Sequence, residues 1–157
     1  MPFLPSGGVT VCYDTRHILS VRISPEIQHF PNVCIAYPDH LACLSDYMAK
    51  YISGDTRCPD YAGMKLLFGM PAFSQRVCRA LCDIPFGVVR TYQDIARSIG
   101  DPKACRAVGA AVGRNPFHVV VPCHRVVSKQ GDPWLFSAGP ENKRALLAHE
   151  KRFSILV

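Results

Sequence analysis

The run Pro122-Cys123-His124-Arg125-Val126 places a thiol beside an imidazole, directly after the apolar stretch Val119-Val120-Val121. A free cysteine is only a few per cent thiolate at neutral pH. It becomes a useful nucleophile where a base or a positive charge lies close. The three valines read as a buried strand, and neighbouring residues on a strand point to opposite faces. For His124 to assist Cys123, the strand must therefore end at Pro122 and the chain must turn there. A carboxylate could then orient the imidazole, as in other nucleophile–base–orienter systems. Asp132, Glu141 and Glu150 are the downstream candidates, and the residues alone do not choose among them. Taken singly, most Cys-His neighbours are a buried thiol and a core histidine, so the chemistry has to be supported by the surrounding chain.

The surrounding chain offers elements that could hold such a pair. Phe73, Val77 and Leu81 recur every four residues, as one helix face does, and Ile84-Pro85-Phe86-Gly87 ends that helix in a turn. Thr91 can N-cap a second helix over 92–99, which stops at Gly100-Asp101-Pro102. A third helix is predicted over about 103–112 and is closed by Gly113. Two short helices joined by a Gly-containing turn in a basic segment fit a helix-turn-helix, with the third helix in the recognition position. Its small residues, Ala104, Ala107, Gly109, Ala110 and Ala111, permit close packing or close backbone approach to a ligand. After the Cys-His motif comes a turn-rich loop over 128–140 that still carries Trp134, Leu135 and Phe136, a pattern expected of a folded-over pocket wall. A last helix is predicted over 141–151, with Leu146 and Leu147 inward.

Residues 1–70 are more irregular. Segments 9–13 and 17–23 have strand composition, Leu41, Leu44, Met48 and Ile52 mark a helix, and Leu66-Leu67-Phe68 reads as a further strand. Phe30, Tyr37 and Tyr51 read as core residues. The chain has 157 residues, of which 48% are hydrophobic, enough for one ordinary domain or two small ones with a real core. No apolar run reaches the roughly 18 residues of a membrane span. The N-terminus lacks the pattern of a signal peptide. The eight cysteines are accordingly read as reduced thiols of a cytoplasmic protein, or a nuclear one in a eukaryote. Cys78-x3-Cys82 is a weak zinc spacing, and small buried side chains are the simpler account. The net charge of +6 is uneven: residues 1–75 carry 5 Lys+Arg against 6 Asp+Glu, and residues 76–157 carry 13 against 6. A C-terminal half at +7 points to a polyanion such as DNA or RNA, or else to a solvated basic face.

From about Phe73 to Glu150 the chain resembles the O6-alkylguanine-DNA alkyltransferases. Phe86-Gly87-x-Val89-x-Thr91-Tyr92-x-x-Ile95-Ala96 looks like the segment entering that family's helix-turn-helix. Lys103-Ala104-Cys105-Arg106-Ala107-Val108-Gly109 looks like its recognition helix. Asn115-Pro116, Pro122-Cys123-His124-Arg125-Val126-Val127 and Leu146-Leu147-Ala148-His149-Glu150 complete the series. The order and spacing of these pieces carry the resemblance, since each alone is weak.

The resemblance implies that Cys123 accepts the alkyl group, that His124 deprotonates it through a water, and that Glu150 holds the imidazole. It implies that Asn115 ties the recognition helix to the active-site strand. Arg106 would fill the gap left by a flipped nucleotide. Tyr92 would press on the target phosphate and give a proton to the departing guanine. Thr91, Ala107 and Arg114 would lie against the DNA, Val126 with the Cys123 backbone would read the base edge, and Ser137 would face the O6 oxygen. No cofactor and no metal ion is required. The partner would be double-stranded DNA containing O6-alkylguanine, met by a monomer away from any membrane. Departures from the pattern lie around the pocket: Phe136 where tyrosine is common, Ala138 in place of a glycine, and His118 and Trp134. Two other functions fit parts of the sequence. A helix-turn-helix regulator or alkylated-DNA sensor would bind without transfer, and a Cys-His hydrolase would turn over repeatedly. The expected fold is α/β in the α+β sense: an N-terminal domain over 1–70 with an antiparallel sheet plus a helix, and a mostly helical domain over 73–157 with a helix-turn-helix and an active-site strand.

Overall fold

The computed structural model describes residues 8–13, 16–24, 39–54, 69–131 and 136–154. The first two elements are β1 (Gly8–Tyr13) and β2 (Ile18–Ser24), paired antiparallel with Val11 opposite Val21 and an irregularity at Cys12/Tyr13. Val21 and Ile23 are buried with Arg22 outward between them, as period-2 side chains require, while Ile18 is buried beyond the irregularity, out of step with that alternation. Helix α1 (Asp39–Ser53) follows and buries Leu44, Tyr47 and Tyr51 along one face. Phe30, Tyr37, the strand expected at Leu66-Leu67-Phe68, and Asp132, Trp134 and Leu135 lie outside the described residues.

The second half is mostly helical. Helix α2 (Ala72–Cys82) buries Val77, Cys78 and Leu81. Strand β3 (Arg90–Thr91) leads into α3 (Tyr92–Ser98), and α4 (Cys105–Gly113) follows after a short connection. Thr91 caps α3 in a capping box: its hydroxyl accepts from the Asp94 N–H at 3.2 Å, and the Asp94 carboxylate accepts from the Thr91 N–H at 2.9 Å. Gly100, at φ 77°, closes the other end. Its left-handed backbone lets the Asp101 N–H reach the Ala96 carbonyl at 3.0 Å and its own N–H reach that of Arg97 at 3.0 Å, a Schellman closure. Helix α4 begins at Cys105, two residues later than expected, because Pro102–Ala104 belong to the connecting turn. Helix α5 (Pro140–Ser154) ends the described chain; it buries Leu146 fully, whereas Leu147 is only partly covered.

The expected active-site strand at Val119-Val120-Val121 is not formed. These valines are buried but sit in successive turns, and Val119 has φ 71°, a left-handed conformation that β-branched residues rarely adopt. The strand that does form, β4 (Val126–Val127), lies after the cysteine and pairs parallel with β3, Arg90 beside Val126 and Thr91 beside Val127. This pairing ties the start of the helix pair to the Cys-His segment. On the other side, β2 docks onto residues 116–118: the Val21 N–H donates to the Pro116 carbonyl at 2.8 Å, and the His118 N–H donates to the Val21 carbonyl at 2.7 Å. Ile18, Val21, Tyr47, Val77, Val108, Cys123 and Leu146 consequently share one buried cluster. Among the described residues, no helix is long and apolar enough to cross a membrane.

Candidate active site

Cys123, His124 and Arg125 form a single 3₁₀ turn between Pro122 and β4. Pro122, at φ −79° and ψ 60°, is the centre of an inverse γ-turn in which the Cys123 N–H donates to the Val121 carbonyl at 2.7 Å. The ring of proline favours this φ, so the turn follows directly from the sequence. Asn115, just beyond α4, braces the preceding loop. Its Nδ2 donates to the Val121 carbonyl at 3.0 Å and to that of Phe117 at 3.3 Å, while its Oδ1 accepts from the Phe117 N–H at 3.0 Å. These bonds hold the unusual Val119 conformation and link α4 to the cysteine turn.

Two residues of the turn, His124 and Arg125, face a buried carboxylate. Glu150, on α5 and 1% exposed, lies 2.6 Å from His124 Nε2. Its Oε2 also accepts from Arg125 Nε at 2.9 Å, and its Oε1 accepts from Arg125 Nη2 at 3.0 Å, a two-pronged pair. Tyr51 on α1 donates its hydroxyl proton to Oε1 at 2.9 Å, and the Gly87 N–H donates to Oε2 at 2.9 Å. Gly87 has φ 74°, and a side chain there would run into Ser154 on α5, so glycine allows this close approach. Of the three carboxylates open from sequence, Glu141 instead pairs with Arg144 at the surface.

Protonation follows from these contacts. Burial works against the Glu150 carboxylate, yet its hydrogen bonds and charge pairing with His124 and Arg125 take it down to about 2. An ionised carboxylate can only accept, so neutral His124 carries its proton on Nε2, toward Glu150. His124 Nδ1 is then a bare acceptor, buried and without a hydrogen-bond partner among the described residues. Burial holds the His124 imidazole below its ordinary range against the pull of Glu150. Burial pushes the Cys123 thiol up to about 11, while a hydrogen bond from Asn115 and the charge of Lys143 pull the other way. Lys143 is fully buried, donates from Nζ to the Val126 carbonyl at 2.5 Å, and is itself lowered to about 8 by burial. At neutral pH the resting site thus holds a thiol, a neutral imidazole with one free lone pair, and a buried ammonium beside the thiol.

The remaining expected residues lie on two faces. Tyr92, Cys105, Arg106, Gly109 and Ala110 line an open cleft of about 460 Å³ between α3 and α4. Burial, and then the neighbouring Cys123 and Cys105, raise the Tyr92 phenol, so it stays protonated. Arg106 and Ala107 are exposed on α4, and Arg114 is exposed just after it, with Nε donating to the Ala110 carbonyl at 3.1 Å. Thr91 is occupied with its cap, and Val126 is fully buried in β4. Ser137 is exposed, and its Oγ lies 2.8 Å from His118 Nε2. Arg125, Lys143 and Tyr51 are site residues that the sequence reading did not single out. Arg125 stood inside the motif, Lys143 shares one helical face with Leu146 and Glu150, and Tyr51 had only the signature of a core aromatic.

A family model described as the DNA-binding domain of 6-O-methylguanine DNA methyltransferase matches residues 72–152. The chain is 34% identical, over 94% of its length and 82% of the relative's, to the methylated-DNA–protein-cysteine methyltransferase of Haemophilus influenzae. It is 39% identical, over 87% of its length and 84% of the relative's, to that of Methanosarcina mazei. Its fold is similar to the crystal structure of Mycobacterium tuberculosis OGT in complex with DNA, with a TM-score of 0.76 at 33% identity, covering 95% of this chain and 89% of that one. With a matched domain that contains the cysteine turn and its carboxylate, and relatives that span nearly the whole chain, this protein belongs to the 6-O-methylguanine DNA methyltransferase family.

Proposed function

We propose that this protein repairs double-stranded DNA by moving the alkyl group of O6-alkylguanine onto Cys123, irreversibly and once per molecule. The observation that carries the reading is the bare His124 Nδ1 in a buried turn whose opposite nitrogen is held by Glu150. In the transfer, the thiol proton passes through a water to His124 Nδ1. The Cys123 sulfur attacks the alkyl carbon, the S–C bond forms, and the C–O6 bond breaks with its electron pair passing to the guanine. The guanine takes up a proton, with the Tyr92 hydroxyl as the donor at hand, so atoms and charge balance. Lys143 beside the thiol favours the anion during attack.

An O6 substituent is hidden in a duplex, so the base has to leave the stack, at a cost of a few kcal/mol. Arg106, exposed on α4 beside the cleft, fills the space left behind. Ala107, Thr91 and Arg114 lie along the DNA backbone, and contacts of that kind carry no sequence requirement. Val126 with the Cys123 backbone reads the base edge, and Ser137 faces O6. The protein acts as a monomer in the cytoplasm, or in the nucleus of a eukaryote, without cofactor. The match to residues 72–152 supports a division into a 1–70 domain and a 73–157 DNA-binding and transfer domain. Intact mass after mixing with duplex DNA containing one O6-methylguanine, followed by peptide mapping, tests the proposal. One methyl group on Cys123 with no second turnover is expected. Binding without modification would make the protein a sensor, and repeated turnover would make it a hydrolase.

A further inference from the structure

His118 is fully enclosed at 2% exposure, outside the Cys123–His124–Glu150 set, and both of its ring nitrogens are engaged. The Ile23 backbone N–H of β2 donates to Nδ1 at 3.2 Å, and Nε2 lies 2.8 Å from Ser137 Oγ. The ring also stacks on Phe136 with centroids 5.3 Å apart and an interplanar angle of 35°, which fixes its plane. A backbone N–H can only donate, so Nδ1 must be the acceptor and the neutral ring must carry its proton on Nε2. That proton points at Ser137 Oγ. A hydroxyl has one proton and two lone pairs; with a lone pair engaged by Nε2–H, the serine proton is turned away from His118. Burial, followed by the charge of Arg22, lowers the imidazole to about 4, so this arrangement persists across neutral pH.

We infer that His118 is a positioning residue: anchored by β2, it orients the Ser137 hydroxyl so that its proton is offered to the O6 atom of the bound guanine. The assignment rests on the alkyl-transfer proposal, which sets Ser137 against O6. Negative charge grows on O6 and the purine as the C–O6 bond breaks. A donor already aimed at that oxygen gains strength in the transition state and needs no reorganisation. Without His118 the same hydroxyl is a free rotor that can spend its proton elsewhere. The N-terminal sheet, remote from the thiol in sequence, thereby sets a hydrogen bond at the leaving group.

Two near-isosteres separate the two ring nitrogens. Asparagine places its Oδ1 where Nδ1 stands and keeps the acceptor for Ile23, but has nothing at the Nε2 position. Glutamine places its Nε2 donor near the Nε2 position but loses the Ile23 acceptor. Single-turnover transfer from an O6-methylguanine duplex, duplex Kd and Tm are measured for the parent, His118→Asn, His118→Gln, Ser137→Ala and the Ser137→Ala/His118→Asn double variant. Ser137→Ala is expected to slow the first-order transfer step about tenfold or more, with a smaller change in Kd. His118→Asn is expected to slow it comparably while keeping most of the Tm. His118→Gln is expected to recover most of the rate while losing Tm, and the double variant to be no slower than Ser137→Ala. Rates that follow Tm across the series, or losses that multiply in the double variant, overturn the assignment while the parent still transfers. A parent that gains no methyl group overturns the transfer proposal itself.

Discussion

Replacing Arg125 by methionine tests the charge arrangement at the centre of the site. Arg125 supplies the only full positive charge bonded to Glu150 among the described residues, because His124 is neutral. In the variant the carboxylate keeps the Tyr51 hydroxyl, the Gly87 N–H and His124, but it has no counter-charge at 1% exposure. Breaking a buried ion pair from one side costs about 3–5 kcal/mol. The Ile84 carbonyl also loses its donor, Arg125 Nη1 at 2.6 Å, which adds about 1 kcal/mol. Methionine retains most of the packing against Phe86, over whose ring the guanidinium lies at 5.6 Å, so little is lost there. A net loss of about 5 kcal/mol corresponds to a fall in Tm of roughly 10–20 °C for a chain of this size. Calorimetry and urea unfolding read this directly. The decisive comparison is Glu150→Gln: alone it is destabilising, because it strands Arg125, but added to Arg125→Met it restores stability, because it removes the stranded carboxylate. A loss below about 1 kcal/mol for Arg125→Met, or a second substitution that lowers stability further, would refute this account of the buried pair.

Other perturbations follow from single contacts. Thr91→Ala removes the hydroxyl half of the capping box and should cost about 1 kcal/mol, read as a lower urea midpoint with an unchanged m-value. Lys143→Met removes the ammonium beside Cys123; the thiol, already raised to about 11, should rise further, and the pH profile of single-turnover transfer should move to higher pH. Acid should destabilise the fold in two stages. His118 is lowered from 6.5 to about 4, so below pH 6.5 the unfolded chain binds a proton that the folded one refuses, and stability falls between those values by up to about 3 kcal/mol. Glu150, lowered from 4.5 to about 2, contributes stability that is complete above pH 4.5 and is lost as the pH falls toward 2. Urea midpoints across pH 7.5 to 3 should show both stages, and His118→Gln should flatten part of the first; an unchanged first stage would contradict the buried neutral imidazole.

The helices were legible because their signals are local. Thr91 followed by Asp94, Gly100 after Ile99, and the four-residue spacing of Phe73, Val77 and Leu81 each specify a cap or a face without help from the rest of the fold. The Pro122 break was legible for the same reason, since proline fixes its own φ. The strand expected at Val119-Val120-Val121 failed because apolar composition reports burial, not backbone conformation. Here Asn115, a residue four positions earlier, pins the loop in turns and overrides the β preference of three valines. Glu150 could be selected only through the family resemblance, because its distance from His124 is set by the crossing of α5 over the turn. Tyr51 lies 73 residues from His124 in the chain, and nothing local distinguishes a core tyrosine from one whose hydroxyl bonds a buried carboxylate. His118 was visible as an odd residue, but its two partners, Ile23 and Ser137, come from opposite ends of the chain.

Burial gives the resting site its restraint and the proposed reaction its timing. Desolvation raises Cys123 and lowers His124 and Lys143, so it favours the uncharged form of every one of these groups. A neutral thiol at 2% exposure is a poor target for small electrophiles, whereas Cys12 is exposed on β1. Selective chemistry at Cys123 must therefore come from what is brought to it, not from standing reactivity. In the proposed transfer, a flipped guanine would supply both missing parts: an alkyl carbon placed next to the sulfur, and a leaving group whose growing charge would be met by donors at Ser137 and Tyr92. Proton transfer to His124 Nδ1, as proposed, would create an imidazolium 2.6 Å from a carboxylate that Arg125, Tyr51 and Gly87 already hold in place. The charge separation that burial opposes in the free protein would then be stabilised by groups that do not have to move.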